Sequence, residues 1–222
     1  MSKEQTIKLV IPQSWSEINL ETYLKYRKTI DMYKDDVDSD EDDKSLIIAL
    51  DILCGIKPEW IGQLPLDTIK TINEDLASFL GQTDFELQKF VTIDGIEYGF
   101  EPNLSEMSYG AYLDISKYDT ISIDKNWPKI MSILYRPVVK KDKNYYEIKP
   151  YTGKEDDTIF LKSDMKVNLG CLFFFINTLK DLQLYIQKSL MEEPETQQLF
   201  KSIMGKSGKG ILRLLNSQME TS

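Results

Sequence analysis

Histidine is absent from the 222 residues. That removes the commonest general base, the commonest metal ligand and the usual partner of a serine or cysteine nucleophile. Chemistry based on carboxylates or lysine stays open, but the composition points away from an enzyme. Cysteine is scarce. Cys54 and Cys171 are the only two, each in an apolar helical setting, and a disulfide framework needs more. They read as two buried thiols in a reducing compartment. Long hydrophobic runs are missing too. The longest apolar stretch, 167–179, is too short to span a bilayer and carries Asn168 and Asn177, so it reads as a buried helix rather than a membrane span. The first residues, Met1-Ser-Lys-Glu-Gln-Thr6, are polar and lack an apolar h-region, so no secretory signal is expected.

What is present suits a folded core: 41% of residues are hydrophobic and 28% charged. The formal net charge is −9. A surface this acidic repels phosphate backbones and disfavours broad nucleic-acid binding. The charge is uneven. Lys201, Lys206, Lys209 and Arg213 face only Glu220 in the last stretch, and subtracting that +3 from −9 leaves −12 for residues 1–200. Gly205, Gly208 and Gly210 loosen the same segment. The expected organisation is a single globular domain over 1–200 with a basic C-terminal tail over 201–222. A positive arm of this kind suits DNA or an acidic protein surface.

The hydrophobic spacing predicts a mainly α fold with a small antiparallel β-hairpin. Residues 6–11 alternate weakly before Pro12 and suggest a short edge strand. A helix is expected from an N-cap at Asn19, with Leu20, Tyr23, Leu24, Arg27 and Ile30 on one face. An acidic loop follows over 35–43. A second helix, about Ser45 to Cys54, is expected to stop at Gly55. A third begins at Leu66 after Pro65 and carries Ile69, Ile72, Leu76, Phe79 and Leu80 as an apolar stripe. Two extended runs around Asp94-Gly95 predict a hairpin over about 90–100, which needs a covering helix because an isolated hairpin is marginal. Ser105 to Tyr118 reads as a helix with Met107, Ala111, Tyr112 and Ile115 inward. Asn126-Trp-Pro128 reads as an N-cap with proline in the first turn, and Pro137 as the stop of that helix. Residues 138–157 look turn-rich, with a strand at Tyr145–Ile148. The last helix is expected over about Asp164–Leu190. Its apolar centre, Leu172–Ile176, should be the most buried element, and Gly170 should mark a close helix–helix approach.

Three patterns have sharper readings. Asp36, Asp38 and Asp40 have the first spacings of a calcium loop, but Glu41 replaces the turn glycine and Ile47 the bidentate glutamate. Gly205-Lys-Ser-Gly-Lys-Gly210 has the wrong spacing for a phosphate loop and reads as a hinge. Asp156, Asp157 and Asp164 read as solvated surface. No catalytic residue, metal site or cofactor is therefore assigned. Tyr145, Tyr146 and Tyr151 among lysines have two readings, stacking on bases and protein contact, and the acidic composition favours contact.

The order of the pieces resembles a family. Ile11-Pro-Gln-Ser-Trp15 leads into Ile18-Asn-Leu-Glu-Thr-Tyr23. A helix then closes on Leu53-Cys-Gly55, and a Leu-Pro element follows at Gln63-Leu-Pro65. A hairpin and helix run from Phe90 to Tyr112. An Asn-Trp-x-Lys-Ile helix, Asn126 to Pro137, ends in Arg-Pro. A phenylalanine-rich helix spans Met165 to Leu182. Over residues 8–190 this order is similar to that of the tail-assembly-chaperone-like proteins of tailed bacteriophages, particularly phages of Bacteroides-type hosts, crAss-like phages among them. The resemblance carries no catalytic residues. It implies a non-enzymatic virion-assembly protein in the host cytoplasm or the virion, with a tail, tape-measure or portal/connector component as partner and no membrane. The residues offered for such contacts are Trp15, Trp60, Tyr145, Tyr146, Lys201, Lys206, Lys209 and Arg213. Two alternatives are a structural subunit of the mature particle and a divalent-metal enzyme built on the acidic run.

Overall fold

The computed structural model describes residues 9–33, 41–117, 123–143, 145–175 and 177. The acidic run at 34–40, the basic tail with its glycine hinge, and residues 178–190 of the expected last helix lie outside them. The fold is mainly helical with a four-stranded antiparallel sheet. Among the described residues no helix is long and apolar enough to cross a membrane. The chain divides into two compact units: residues 1–85 with 161–168, and residues 86–160 with 169–222.

Among the described residues the first unit is built on four helices and the opening of a later one. Asn19 caps α1 (Leu20–Tyr33) as its spacing predicts: its side-chain oxygen accepts the Thr22 amide at 2.8 Å. α2 runs from Glu41 to Ile52 and so starts earlier than expected. Past its end Gly55 takes φ +66°, the left-handed region where glycine has no Cβ penalty, and lets the Ile56 amide return to the Leu50 carbonyl at 3.0 Å. α3 is the single turn Pro58–Ile61. α4 (Leu66–Leu80) buries Ile72, Leu76 and Phe79, the heart of the expected stripe. Trp15 sits in a 3-10 turn and packs edge-on against Phe79 and Tyr23. The returning segment joins α1 through Leu20 N–Ser163 O and Met165 N–Ile18 O bonds. Of the strand expected over 6–11, residues 9–11 form none, and residues 6–8 lie outside the described residues.

The second unit holds the sheet. β1 (Phe90–Ile93) and β2 (Ile96–Phe100) form the expected hairpin, with Asp94 at φ +50° and Gly95 at φ +80° in its turn. The hairpin is not alone: β3 (Tyr135–Asp142) pairs with β2, and β4 (Tyr145–Ile148) with β3, so the order is β1-β2-β3-β4. β3 corrects the turn-rich reading of 138–142 and the role of Pro137. That proline lies inside the strand opposite Tyr98, and its carbonyl accepts the Lys149 amide at 2.9 Å. A central strand tolerates it because the pairing is already irregular beyond Val138, between β3 and β4.

Between β2 and β3 the chain forms α5 and α6. α5 is shorter than expected, Tyr109–Ile115, because Ser108 caps it by accepting the Ala111 amide. Ala111 is buried as predicted, but Tyr112 faces outward at 56% exposure. α6 spans Ile123–Leu134, so Asn126 is not its N-cap and Pro128 lies in its second turn. Trp127, Met131, Ile133 and Leu134 are its buried face. α7 comprises residues 165–175 of the chain, and the boundary between the units falls at 168/169. Its most buried residues are Met165, Val167, Asn168, Leu169 and Cys171, whereas Leu172 to Phe175 are half-buried, which reverses the expected order. Gly170 does mark a close approach, but to backbone rather than to a helix: a Cβ there would overlap the Glu86 carbonyl, in a segment without regular structure.

Candidate functional site

The second unit encloses a cavity of about 350 Å³ over one end of β2 and β3 and the 149–160 segment. Tyr98, Tyr135, Pro137, Pro150, Ile159 and Phe160 supply its apolar walls. The rings brace one another: Tyr98 meets Phe160 edge-on at 5.5 Å between centroids, and Tyr135 lies 6.4 Å from Phe160. Tyr135 is also pinned at its far end, its hydroxyl donating to the Gln88 carbonyl at 2.6 Å.

Arg136 lines the same cavity, and its charge is already matched. Nη2 bonds the Glu101 carboxylate, Nε donates to the Lys149 carbonyl at 2.7 Å and Nη1 to the Ile133 carbonyl at 2.8 Å. The two side chains are only 7% and 10% exposed. This pair ties the end of α6, the start of β3 and the segment after β4 together. Sequence reading missed it, because an Arg-Pro dipeptide at a helix end and a Glu after a hairpin carry no mark of being neighbours.

The cavity's two carboxylates serve its rim. Glu155 accepts the Thr152 amide at 2.7 Å and the Thr152 hydroxyl at 2.9 Å. Burial pushes the Glu155 carboxyl up, but hydrogen bonds from Thr152, Gly153 and its own backbone outweigh this and hold it below the ordinary range. Asp156 accepts the hydroxyl and amide of Thr158, which lowers its pKa. Both stay ionised at neutral pH, and neither is poised to take a proton. Tyr98 is pushed upward by burial, with Asp156 and Asp94 adding to it. Among the described residues no group of three or more Cys, Asp or Glu is placed to hold a metal ion.

The residues singled out from sequence scatter. Trp15 is buried at 6% exposure and donates from Nε1 to the Phe79 carbonyl, so its ring holds the first unit together. Trp60 is half-buried and lines a second cavity, about 380 Å³, with Cys54, Lys57, Leu9 and Val10. Tyr145 is 53% exposed, bonds Glu147 through its hydroxyl and has the Lys140 ammonium 5.9 Å from its ring centre. Tyr146 folds inward: its hydroxyl donates to the Phe100 carbonyl at 2.7 Å and its ring covers Gly99, where a Cβ would come within 2.9 Å. Tyr151 donates to Asp114 at 2.6 Å. Lys201, Lys206, Lys209 and Arg213 lie outside the described residues. The three tyrosines therefore form no common stacking surface: one is exposed, and the other two have their hydroxyls engaged within the fold.

No protein-family model, curated protein or solved structure matches this chain.

Proposed function

We propose that this chain is a non-enzymatic assembly protein of a tailed bacteriophage, similar to tail-assembly chaperones, that binds another structural protein of the particle. The observation that carries the reading is the ordered motif set from Pro12-Gln-Ser-Trp15 to the phenylalanine-rich segment after Met165. The absence of histidine supports it, since neither an imidazole base nor an imidazole metal ligand exists anywhere in the chain. An exposed apolar strip on α5, with Tyr109 at 74%, Tyr112 at 56% and Leu113 at 42% exposure, supplies the aromatic surface that protein contacts favour.

Co-purification from infected cells tests this. An assembly chaperone associates with a tail, tape-measure or connector protein and is missing from purified particles. Association with none of them, and absence from particles, would end the proposal. The basic stretch Lys201–Arg213 favours a second reading, a subunit retained in the mature particle through contact with DNA or an acidic ring. A mass-spectrometric census of particles at fixed copy number separates the two.

A further inference from the structure

We propose that the cavity beside Tyr98 is a binding site for a small ligand with a flat apolar body and an oxygen hydrogen-bond acceptor, either a carboxylate or a neutral carbonyl. The volume, about 350 Å³, lies within the range of small-molecule sites, and the walls combine aromatic rings with the rigid rings of Pro137 and Pro150. Such walls take a planar apolar group.

The polar groups set the rest of the ligand. Tyr98 is 7% exposed as a residue, but its hydroxyl is not sealed from solvent, and it has no hydrogen-bond partner among the described residues. The hydroxyl is therefore free to donate to a group bound in the cavity. Lys149, an exposed residue of the cavity lining, likewise has no ion pair among the described residues. By contrast, Glu155 and Asp156 accept hydrogen bonds from Thr152 and Thr158, and Arg136 is neutralised by Glu101. The unmet capacity at the cavity is thus hydrogen-bond donation, which an acceptor on the ligand satisfies. The site is independent of the assembly reading above and stands or falls without it.

The experiment is a titration of the full-length protein, followed by amide chemical shifts, with three probes sharing one body: 2-naphthoate, 2-naphthamide and 2-naphthylmethylamine. The expected result is saturable shifts around residues 98, 135 and 149–160 with the acid or the amide, and weaker binding of the amine. If the acid and amide bind alike, the acceptor is a carbonyl; if only the acid binds, it is a carboxylate read by Lys149. Tyr98→Phe keeps the ring and removes the donor, and should weaken the acceptor probes about fivefold, the size of one neutral hydrogen bond. Ile159→Trp, at a half-buried position, should fill the cavity and abolish binding while the dispersed amide spectrum persists. No saturable shifts at these residues, equal binding of the amine, or indifference to Tyr98→Phe would each overturn the proposal.

Discussion

The indole N–H of Trp15 donates to the backbone carbonyl of Phe79 at 2.8 Å, a bond between residues 64 apart in sequence. That carbonyl belongs to the last turn of α4 and also accepts the Gln82 amide at 3.1 Å, so the indole adds a second bond at the helix end as well as packing on it. Trp15→Phe keeps much of the apolar contact and leaves the carbonyl with the Gln82 amide alone, and should destabilise the chain by about 0.5–1.5 kcal/mol. Trp15→Ala also opens a cavity and should cost about 3–5 kcal/mol. Urea unfolding with tyrosine fluorescence and circular dichroism checks the order. Equal stability of wild type and Trp15→Phe would show the bond to be without consequence.

Gly170 poses a contest of two known effects. Alanine in a helix interior is favoured over glycine by about 1 kcal/mol. Here its Cβ would overlap the Glu86 carbonyl oxygen, which is backbone and cannot rotate away. Overpacking of that kind costs about 1–3 kcal/mol or more. Gly170→Ala is therefore expected to lower the unfolding midpoint despite its better propensity. A raised midpoint would mean that the 86–87 segment yields easily.

Arg136 and Glu101 are a buried pair, and the two single losses should be unequal to the double one. Arg136→Met or Glu101→Leu alone strands a charge at a site under about 10% exposed and should cost about 3–5 kcal/mol. Arg136 also loses its bonds to the Ile133 and Lys149 carbonyls, so its substitution is the worse of the two. The double variant Arg136→Met with Glu101→Leu should recover part of the loss. A double-mutant cycle with no coupling would contradict the pairing.

How much of this was legible depends on whether the signal was local. The Asn19 cap, the stripe on α4, the Asp94-Gly95 turn and the glycine stop at Gly55 each rest on a few neighbouring residues, and each stands in the fold. The strand β3 does not. Tyr135-Arg-Pro-Val follows α6 without a linker, and only pairing with Tyr98–Phe100 makes it a strand. Pro128 misled for the same reason: local statistics put proline in a first turn, whereas α6 starts five residues earlier. The cavity was invisible because its walls come from β2, β3 and a segment some fifty residues further on. No spacing rule joins Tyr98 to Lys149.

Alkaline pH should weaken the fold. Burial pushes the Cys171 thiol up to about 12 and the Cys54 thiol to about 11, and it raises the phenols of Tyr26, Tyr98 and Tyr146 as well. Each is a group whose folded pKa lies above its unfolded one, near 9 for a thiol and 10 for a phenol. The stability they contribute is complete below those unfolded values and is lost as pH climbs toward the folded ones, because the unfolded chain releases its protons first. Urea midpoints should thus be flat in these groups from pH 7 to about 8.5 and fall steadily above about 9. The same shifts predict thiol chemistry. At pH 8 a thiol near 11 is about one part in a thousand thiolate, so iodoacetamide should label the native chain slowly and both cysteines rapidly in urea. Half-buried Cys54 should react before Cys171, which has no route to solvent short of opening the fold. Fast native labelling of Cys171 would contradict its burial directly.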